Sequence, residues 1–523
     1  MKFEEKMRQY YHLTNEQMNE LIAPVHVNDL PSYHGFTKMD EVLARMEKAI
    51  QKKEKIFIYG DYDADGILAT SILVRAFHMR GVQVGYYIPS RYQDGYGLQI
   101  EKVRLAHEKG YQLIITVDNG VSQKDAIAEA KHLGMDVIVT DHHTMPDYLV
   151  NADYILHPIY SHYGDVYCCG AYVTFMVSWG ILGFADPYLL CLAGIATLSD
   201  MMELVSYNRN IVRLTLSYLK EKDYDSIRLL IGDEPIDEMV IGMKLTPKIN
   251  AVGRMIESNQ INRMVRYFTS EDKQEQEMLA KWIEDINQIR KDYTKTAMEK
   301  MKIDDSKAAI MLICEEKEGL IGLFANRLLQ MYQKPVIVFS KSQEENIYKA
   351  SARSKNGFSI VKAFQSLSDD LLVYGGHALA GGCSIDESHL PHFLEQFESL
   401  AQQYPFVLEE KEKIELTLDE VTMDHYAIYR QFGPFGIGWP APTFSIRHLQ
   451  VSSLHFIHQG EHLMTQLSMK TRLVGFHIKQ ENLLPYDKIQ VEGTWSLNHY
   501  RGETTLQFLV EKASNDEEEA ILE

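Results

Sequence analysis

The chain has 523 residues and a mass of 60.2 kDa, about three domains' worth at roughly 100–200 residues per domain. With 45% hydrophobic and 24% charged residues it can bury real cores, which excludes fibrous and largely disordered classes. A formal net charge of −20 excludes a bulk cationic coat for nucleic acid, though a local basic groove stays open.

The first residues, Met1-Lys2-Phe3-Glu4-Glu5-Lys6, alternate in charge around no apolar core, so no secretory signal is expected. From Met39 to about Leu156 helix and strand patterns alternate. Val42, Leu43, Met46 and Ile50 mark one helix face. Short apolar runs at Lys55–Tyr59, Val82–Ile88, Leu113–Val117, Val137–Thr140 and Tyr154–Leu156 predict strands, with helices over Ile67–Arg80 and Ser122–Leu133. That alternation predicts an α/β unit with a mostly parallel sheet, whose ligands sit beyond the carboxyl ends of the strands. The uncharged stretch Cys168–Ala185 reaches the lower edge of a membrane-spanning length. Its closure by Asp186-Pro187 reads instead as a buried core helix near Ala171–Leu182, so no membrane partner is expected.

From Ser270 to Asp304 the chain is rich in long charged residues, with a stripe of Leu279, Trp282, Ile283, Ile286 and Ile289; this predicts a long connecting helix. A second, smaller α/β unit follows: strand Ala308–Ile313, helix Leu320–Tyr332, strand Val336–Phe339 and a glycine-rich turn at Gly375-Gly376. From about Lys411 the chain becomes strand-rich, predicting a small β-barrel, and Asn515–Glu523 is an acidic tail. The five cysteines (Cys168, Cys169, Cys191, Cys314 and Cys383) are odd in number and form no CxxC, which fits a reducing cytoplasm.

The acidic features fall at the ends of predicted strands. Lys55–Tyr59 leads into Gly60-Asp61-Tyr62-Asp63-Ala64-Asp65-Gly66, Leu113–Val117 into Asp118-Asn119-Gly120, Val137–Thr140 into Asp141-His142-His143, and the apolar Cys191–Leu198 run into Ser199-Asp200. Singly, Asp118 or Asp200 would be a helix cap. Asp61–Gly66 lacks the later glutamate of a calcium loop, Ile72 standing in its place. Together on one sheet edge they outnumber what capping needs. Unpaired carboxylates so close repel one another unless cations neutralise them, and Mg²⁺ or Mn²⁺ suits oxygen ligands best. Two ions about 3.5–4 Å apart need roughly this many ligands, one of them shared.

The four steps, in order, resemble the motifs of the DHH phosphoesterase superfamily and, within it, its RecJ family of single-strand-specific 5′→3′ exonucleases. Further segments carry the likeness: Ile88-Pro89-Ser90-Arg91-Tyr92 with Gly95-Tyr96-Gly97-Leu98, Ile249–Arg254, Ser351-Ala352-Arg353-Ser354, Gly375-Gly376-His377 with Ala378–Gly382, and Pro434-Phe435-Gly436-Ile437-Gly438. The resemblance implies two ions, Mn²⁺ or Mg²⁺. One would be held by Asp61, Asp63 and Asp118, the other by Asp65, Asp118, His142 and Asp200, with His143 beside the scissile phosphate. It further implies nucleic-acid contacts from Arg91, Asn250, Arg254, Ser351, Arg353, Gly376 and His377.

The implied architecture is an N-terminal region and DHH catalytic domain (1–269), a connecting helix (270–304), a DHH-associated accessory domain (305–408), an OB-like barrel (409–514) and the tail (515–523). The implied activity is hydrolysis of single-stranded DNA to mononucleotides in recombination and repair, by a monomer working beside a single-strand-binding protein and a helicase. The rivals are a phosphodiesterase for short oligoribonucleotides or cyclic dinucleotides, and a non-catalytic replication scaffold; the intact ligand set argues against the scaffold. The chain departs from the family pattern at Lys317–Gly322, Ser199, Gly381 and Trp439, none of them a proposed metal ligand.

Overall fold

In the computed structural model, residues 2–164, 167–342, 345–355, 357–403, 412–500 and 503–516 are described. Five short strands, β1 (Lys55–Tyr59), β2 (Gly85–Tyr87), β3 (Tyr111–Val117), β4 (Asp136–Thr140) and β5 (Tyr154–Leu156), form one sheet in the order β2-β1-β3-β4-β5, with every pair parallel. The strands are near-continuous apolar runs because both faces are covered. One face packs on the helices Met39–Lys52, Ala64–Met79, Gly170–Leu182 and Pro187–Ser199. The other packs on Ile100–Glu108 and Lys124–His132.

The expectation that Asp200 follows a strand is corrected. The Cys191–Leu198 run lies inside the helix Pro187–Ser199, started by Asp186, whose carboxylate accepts from the Tyr188 and Leu189 amides (both 3.0 Å), with Pro187 in the first turn. An apolar run opened by such a cap is a helix buried all round, and Asp200 is its C-terminal cap. The uncharged stretch before it is the buried helix Gly170–Leu182, and among the described residues no helix is long and apolar enough to cross a membrane.

The connecting helix runs Lys273–Lys300. Leu279, Ile283 and Ile286 are buried as expected, but Ile289 is exposed, so the stripe is narrower than its sequence suggested. Strands β6 (Ile310–Cys314), β7 (Val336–Lys341), β8 (Ile347–Arg353), β9 (Leu371–Gly376) and β10 (Ala380–Asp386) then make a second sheet, in the order β6-β7-β8-β10-β9. Gly375 and Gly376 are not a turn but the end of β9; the turn is His377–Leu379, closed by the His377 amide on the Ala380 carbonyl (2.7 Å). Gly376 sits at φ 137°, where a Cβ would meet the Ala380 carbonyl oxygen at 2.4 Å, so only glycine fits.

The third sheet has seven strands: β11 (Lys413–Leu416), β12 (Thr443–Gln450), β13 (Phe456–Ile457), β14 (His462–Ser468), β15 (Thr471–Gly475), β16 (Lys488–Tyr500) and β17 (Glu503–Asn515), ordered β11-β12-β16-β17-β15-β14-β13. Phe3, Met7 and Met18 of the first two helices join its core, so the beginning of the chain packs on its last unit. Asp516, just past β17, pairs with Arg447 at 3.0 Å; the remainder of the acidic tail lies outside the described residues.

Candidate active site

Asp61 and Asp63 follow β1. Asp63 caps the helix Ala64–Met79, its Oδ1 accepting from the Gly66 amide at 3.1 Å. A Cβ on Gly66 would lie 2.6 Å from the backbone nitrogen of Asp61, so this tight turn needs glycine there. Asp65, in the first helical turn, is buried and points at another helix start: the Gly170 and Ala171 amides donate to its carboxylate at 2.6 and 2.8 Å. Asp118, just past β3, holds φ 60°, a strained conformation for a non-glycine residue, and its amide donates to the Thr140 carbonyl at 2.9 Å. His142 Nε2 lies 3.2 Å from Asp118 Oδ1, 3.5 Å from Asp65 Oδ2 and 3.6 Å from Asp200 Oδ2.

Ligand atoms therefore converge in three overlapping groups: Asp61, Asp63 and Asp118; Asp65, His142 and Asp200; and Asp118, His142 and His143. Asp118 belongs to the first and last, and its Oδ1 faces the His142 of the second. Asp61 Oδ1, both oxygens of Asp118 and Asp200 Oδ2 are buried without a hydrogen-bond partner. Buried carboxylate oxygens left bare are costly, so this donor set fits divalent cations. In the protein alone, burial and then Asp63 push the Asp61 carboxyl up to about 8. Burial and neighbouring aspartates push Asp118 and Asp200 well above the usual range, while burial holds His142 below the ordinary imidazole value.

Asp141 takes a different part. Its carboxylate accepts from the Val121 amide (2.9 Å), the His142 and His143 amides (2.7 and 3.1 Å) and His143 Nδ1 (2.8 Å). Burial alone would raise this carboxyl, but the His143 hydrogen bond and charge outweigh it and hold it at about 2. Burial likewise opposes protonation of His143, yet the Asp141 contact lifts that imidazole to about 9. The sequence put Asp141 in the motif but gave it no task; here it orients His143. Sequence reading also missed the Gly170-Ala171 amides, whose only signal was a small-residue helix start after Cys168-Cys169.

The residues implied to touch nucleic acid divide. Asn250 Oδ1 accepts from the Ala64 amide at 2.9 Å, so this side chain also braces the Asp63–Asp65 turn. Arg254 donates to the Gly319 carbonyl at 3.0 Å and, with Tyr92 donating to its own carbonyl at 2.5 Å, ties the catalytic lobe to the accessory lobe. Arg91 lies over the Tyr62 ring at 4.1 Å. Arg353 donates to Ser351 Oγ at 2.9 Å and to the Ala352 carbonyl at 2.8 Å. Gly376 and His377 are exposed at the β9–β10 turn. Of the departures from the family pattern, Trp439 stacks on Tyr11 with ring centroids 4.4 Å apart.

Residues 55–198 match the DHH family, N-terminal domain, 295–403 the DHHA1 domain and 413–512 the RecJ OB domain. Fold, carboxylate cluster and these three matches define a DHH-superfamily phosphoesterase with its accessory and OB units. The chain belongs to the RecJ family of that superfamily. It is 31% identical over 520 residues to the single-stranded-DNA-specific exonuclease RecJ of Bacillus subtilis, covering 94% of this chain and 66% of that protein. To the RecJ of Thermus thermophilus it is 29% identical over 474 residues, covering 88% of this chain and 69% of that one. The chain thus spans about two thirds of the length of these two relatives. The crystal structure of Thermus thermophilus RecJ in complex with Mn²⁺ matches with a TM-score of 0.83 at 26% identity, covering 98% of this chain and 76% of that one. The same protein in complex with Mg²⁺ matches with a TM-score of 0.77 at 25% identity, covering 98% of this chain and 75% of that one.

Proposed function

We propose that this chain is a two-cation exodeoxyribonuclease that hydrolyses single-stranded DNA from its 5′ end to mononucleotides. It serves recombination and repair in the cytoplasm, as a monomer supplied with strand by a helicase and a single-strand-binding protein. The observation that carries the hydrolytic reading is the set of four buried carboxylate oxygens, on Asp61, Asp118 and Asp200, left without partners beside His142.

Asp61, Asp63 and Asp118 would hold one cation and Asp65, His142 and Asp200 the other, with Asp118 near enough to His142 to serve both. Bound there, the ions lower the pKa of a water and neutralise phosphoryl charge during in-line displacement. The strained Asp118 backbone and the helix-start amides on Asp65 fix the two carboxylates before substrate arrives. Asp141 fixes the ring of His143, which faces the open side of the site and holds a proton toward the phosphate or leaving oxygen. Arg91, Ser351 and Arg353 bind phosphate, Arg254 lines the strand's path with Asn250, and His377 with Gly376 touches the backbone further out. The β11–β17 unit carries the strand by stacking and basic contacts.

The test is Mn²⁺-dependent digestion of one single strand labelled at either end, beside its duplex and an RNA copy, with Asp65→Ala as the blank. Mononucleotides released from the 5′ end of the single strand alone, and absent with the blank, are the expected result. Cleavage confined to short oligoribonucleotides, or strand binding without hydrolysis, overturns the reading.

A further inference from the structure

The connecting helix Lys273–Lys300 does more than space the lobes. It packs along the helix Thr246–Met255, which carries Arg254, and against Glu318–Tyr332 of the accessory lobe. Arg290 lies on it, half-buried, with its Nε buried and without a hydrogen-bond partner. Among the described residues no carboxylate pairs with Arg290.

Arg91, Arg254 and Arg353 share that condition. Their contacts are the Tyr62 ring, the Gly319 and Ala352 carbonyls and the Ser351 hydroxyl, and Arg91 Nε too is buried and bare. The charges of Arg91, Arg290 and Arg353 all reach Arg254, which burial and this repulsion hold down at about 10. In a chain with 73 acidic against 53 basic residues, four arginines gathered with no carboxylate in ion-pair contact, only Asp61 and Asp63 at longer range, leave charge for an outside anion. Asp63 also reaches Arg254, so the cluster borders the candidate metal site.

We propose that Arg290 contacts phosphate oxygens of the bound strand, making the connecting helix a third wall of an anion pocket shared by the two lobes. The proposal rests on the nucleic-acid reading above. A guanidinium on the long helix adds a cation that neither lobe supplies, and its terminal N–H groups suit phosphate oxygens. The phosphate is either the terminal monoester or a backbone diester.

The test is equilibrium binding of fluorescent oligothymidylates, one with a 5′-phosphate and one with a 5′-hydroxyl, to the full chain in Ca²⁺ buffer over a range of salt. Arg290→Gln is expected to weaken binding on the order of tenfold and to reduce the salt slope by about 0.7, the value for one phosphate on a single strand. Arg290→Lys should recover much of both, and Arg104→Gln, at an exposed pair with Glu129, should change neither. A loss confined to the phosphorylated strand assigns the contact to the terminal monoester; an equal loss on both assigns it to a diester. Wild-type affinity and slope in Arg290→Gln, or weakened binding with the slope intact and no recovery by lysine, overturn the proposal alone. If the wild-type chain binds neither strand, the nucleic-acid reading falls and the proposal with it.

Discussion

Gly170 is the sharpest point at which the fold can be tested against the site. An alanine Cβ there would stand 2.5 Å from Asp118 Oδ1, 2.6 Å from its Cβ and 2.8 Å from its Cα. Comfortable contact between such atoms needs about 3.5–4.0 Å, so either Asp118 or the helix start must give by about 1 Å. Neither moves freely. Asp118 sits in a strained turn fixed by its amide on Thr140, and the helix start is bound through two amides to Asp65. Whichever yields, a carboxylate of the site leaves its place, and a misplacement of about 1 Å costs on the order of 10²-fold in rate. Overpacking costs about 1–3 kcal/mol of stability, offset in part by alanine's helix preference of under ~1 kcal/mol. Gly170→Ala should therefore stay folded, by circular dichroism and thermal melting, while Mn²⁺ binding by calorimetry weakens and single-turnover hydrolysis of a labelled strand falls about 100-fold. Wild-type rate and Mn²⁺ affinity in that variant would refute the argument that this helix start sets the geometry of Asp118.

Asp141→Asn can keep an oxygen for the three bonds at Oδ1 but sets an amide against the Val121 N–H and removes the charge that lifts the His143 imidazole, while the proposed cation ligands stay; turnover should fall about 10–100-fold, with Mn²⁺ affinity, read by calorimetry, changing less. Chelation leaves Asp61, Asp118 and Asp200 buried and mutually repelling, so EDTA should lower the melting temperature and Mn²⁺ restore it, by about 2.7 kcal/mol at a hundred times its dissociation constant. Asp118→Asn should shrink that difference. Burial opposes ionisation of Glu238, but the bidentate Arg430 contact (2.6 and 2.7 Å) wins and lowers its carboxyl from the ordinary 4.5. Because the folded value is the lower one, the stabilisation is present above about pH 4.5 and is lost as pH falls through the folded value. Glu238→Gln should accordingly flatten stability against pH below about 4.5, as followed by denaturant melts.

The strands of the first sheet and its parallel type were legible because each strand is a short apolar run closed by a turn residue, and the acidic residues stand at those closures. Asp200 was found for a partly wrong reason. Its residue type and position in the motif sufficed, although a buried helix and not a strand delivers it, since periodicity cannot tell a short buried strand from an all-apolar helix. Candidate ligands made of side chains could be named from sequence; the groups that aim them could not. The Gly170 and Ala171 amides have no side-chain chemistry, and they meet Asp65 across 105 and 106 residues of chain. Arg290 failed to stand out for the opposite reason, being one cation among many on a charged helix, distinguished only by having no carboxylate paired with it in space. Trp439, a departure from the family pattern, has its ring stacked on Tyr11 and beneath Arg209.

These contacts explain how three cores become one enzyme. Arg209, buried in the catalytic lobe, donates to the carbonyls of Phe432, Gly433 and Pro434 at 2.7–2.9 Å, and Glu238 of the same lobe grips Arg430. The Phe3–Tyr10 helix adds its apolar residues to the core of the β11–β17 unit. That unit is thus fastened to the catalytic lobe by buried charge, where losing one partner leaves the other unpaired and costs about 3–5 kcal/mol. The accessory lobe is joined differently. Arg254 reaches the Gly319 carbonyl, Lys317 meets Glu257, and among the described residues the arginines Arg91, Arg254, Arg290 and Arg353 pair with no carboxylate. Charges that would stabilise the closed protein if paired are left bare on the side facing the carboxylate cluster. On the function proposed above, an acidic chain can thereby draw in a polyanion, because these arginines set positive charge beside the candidate metal site.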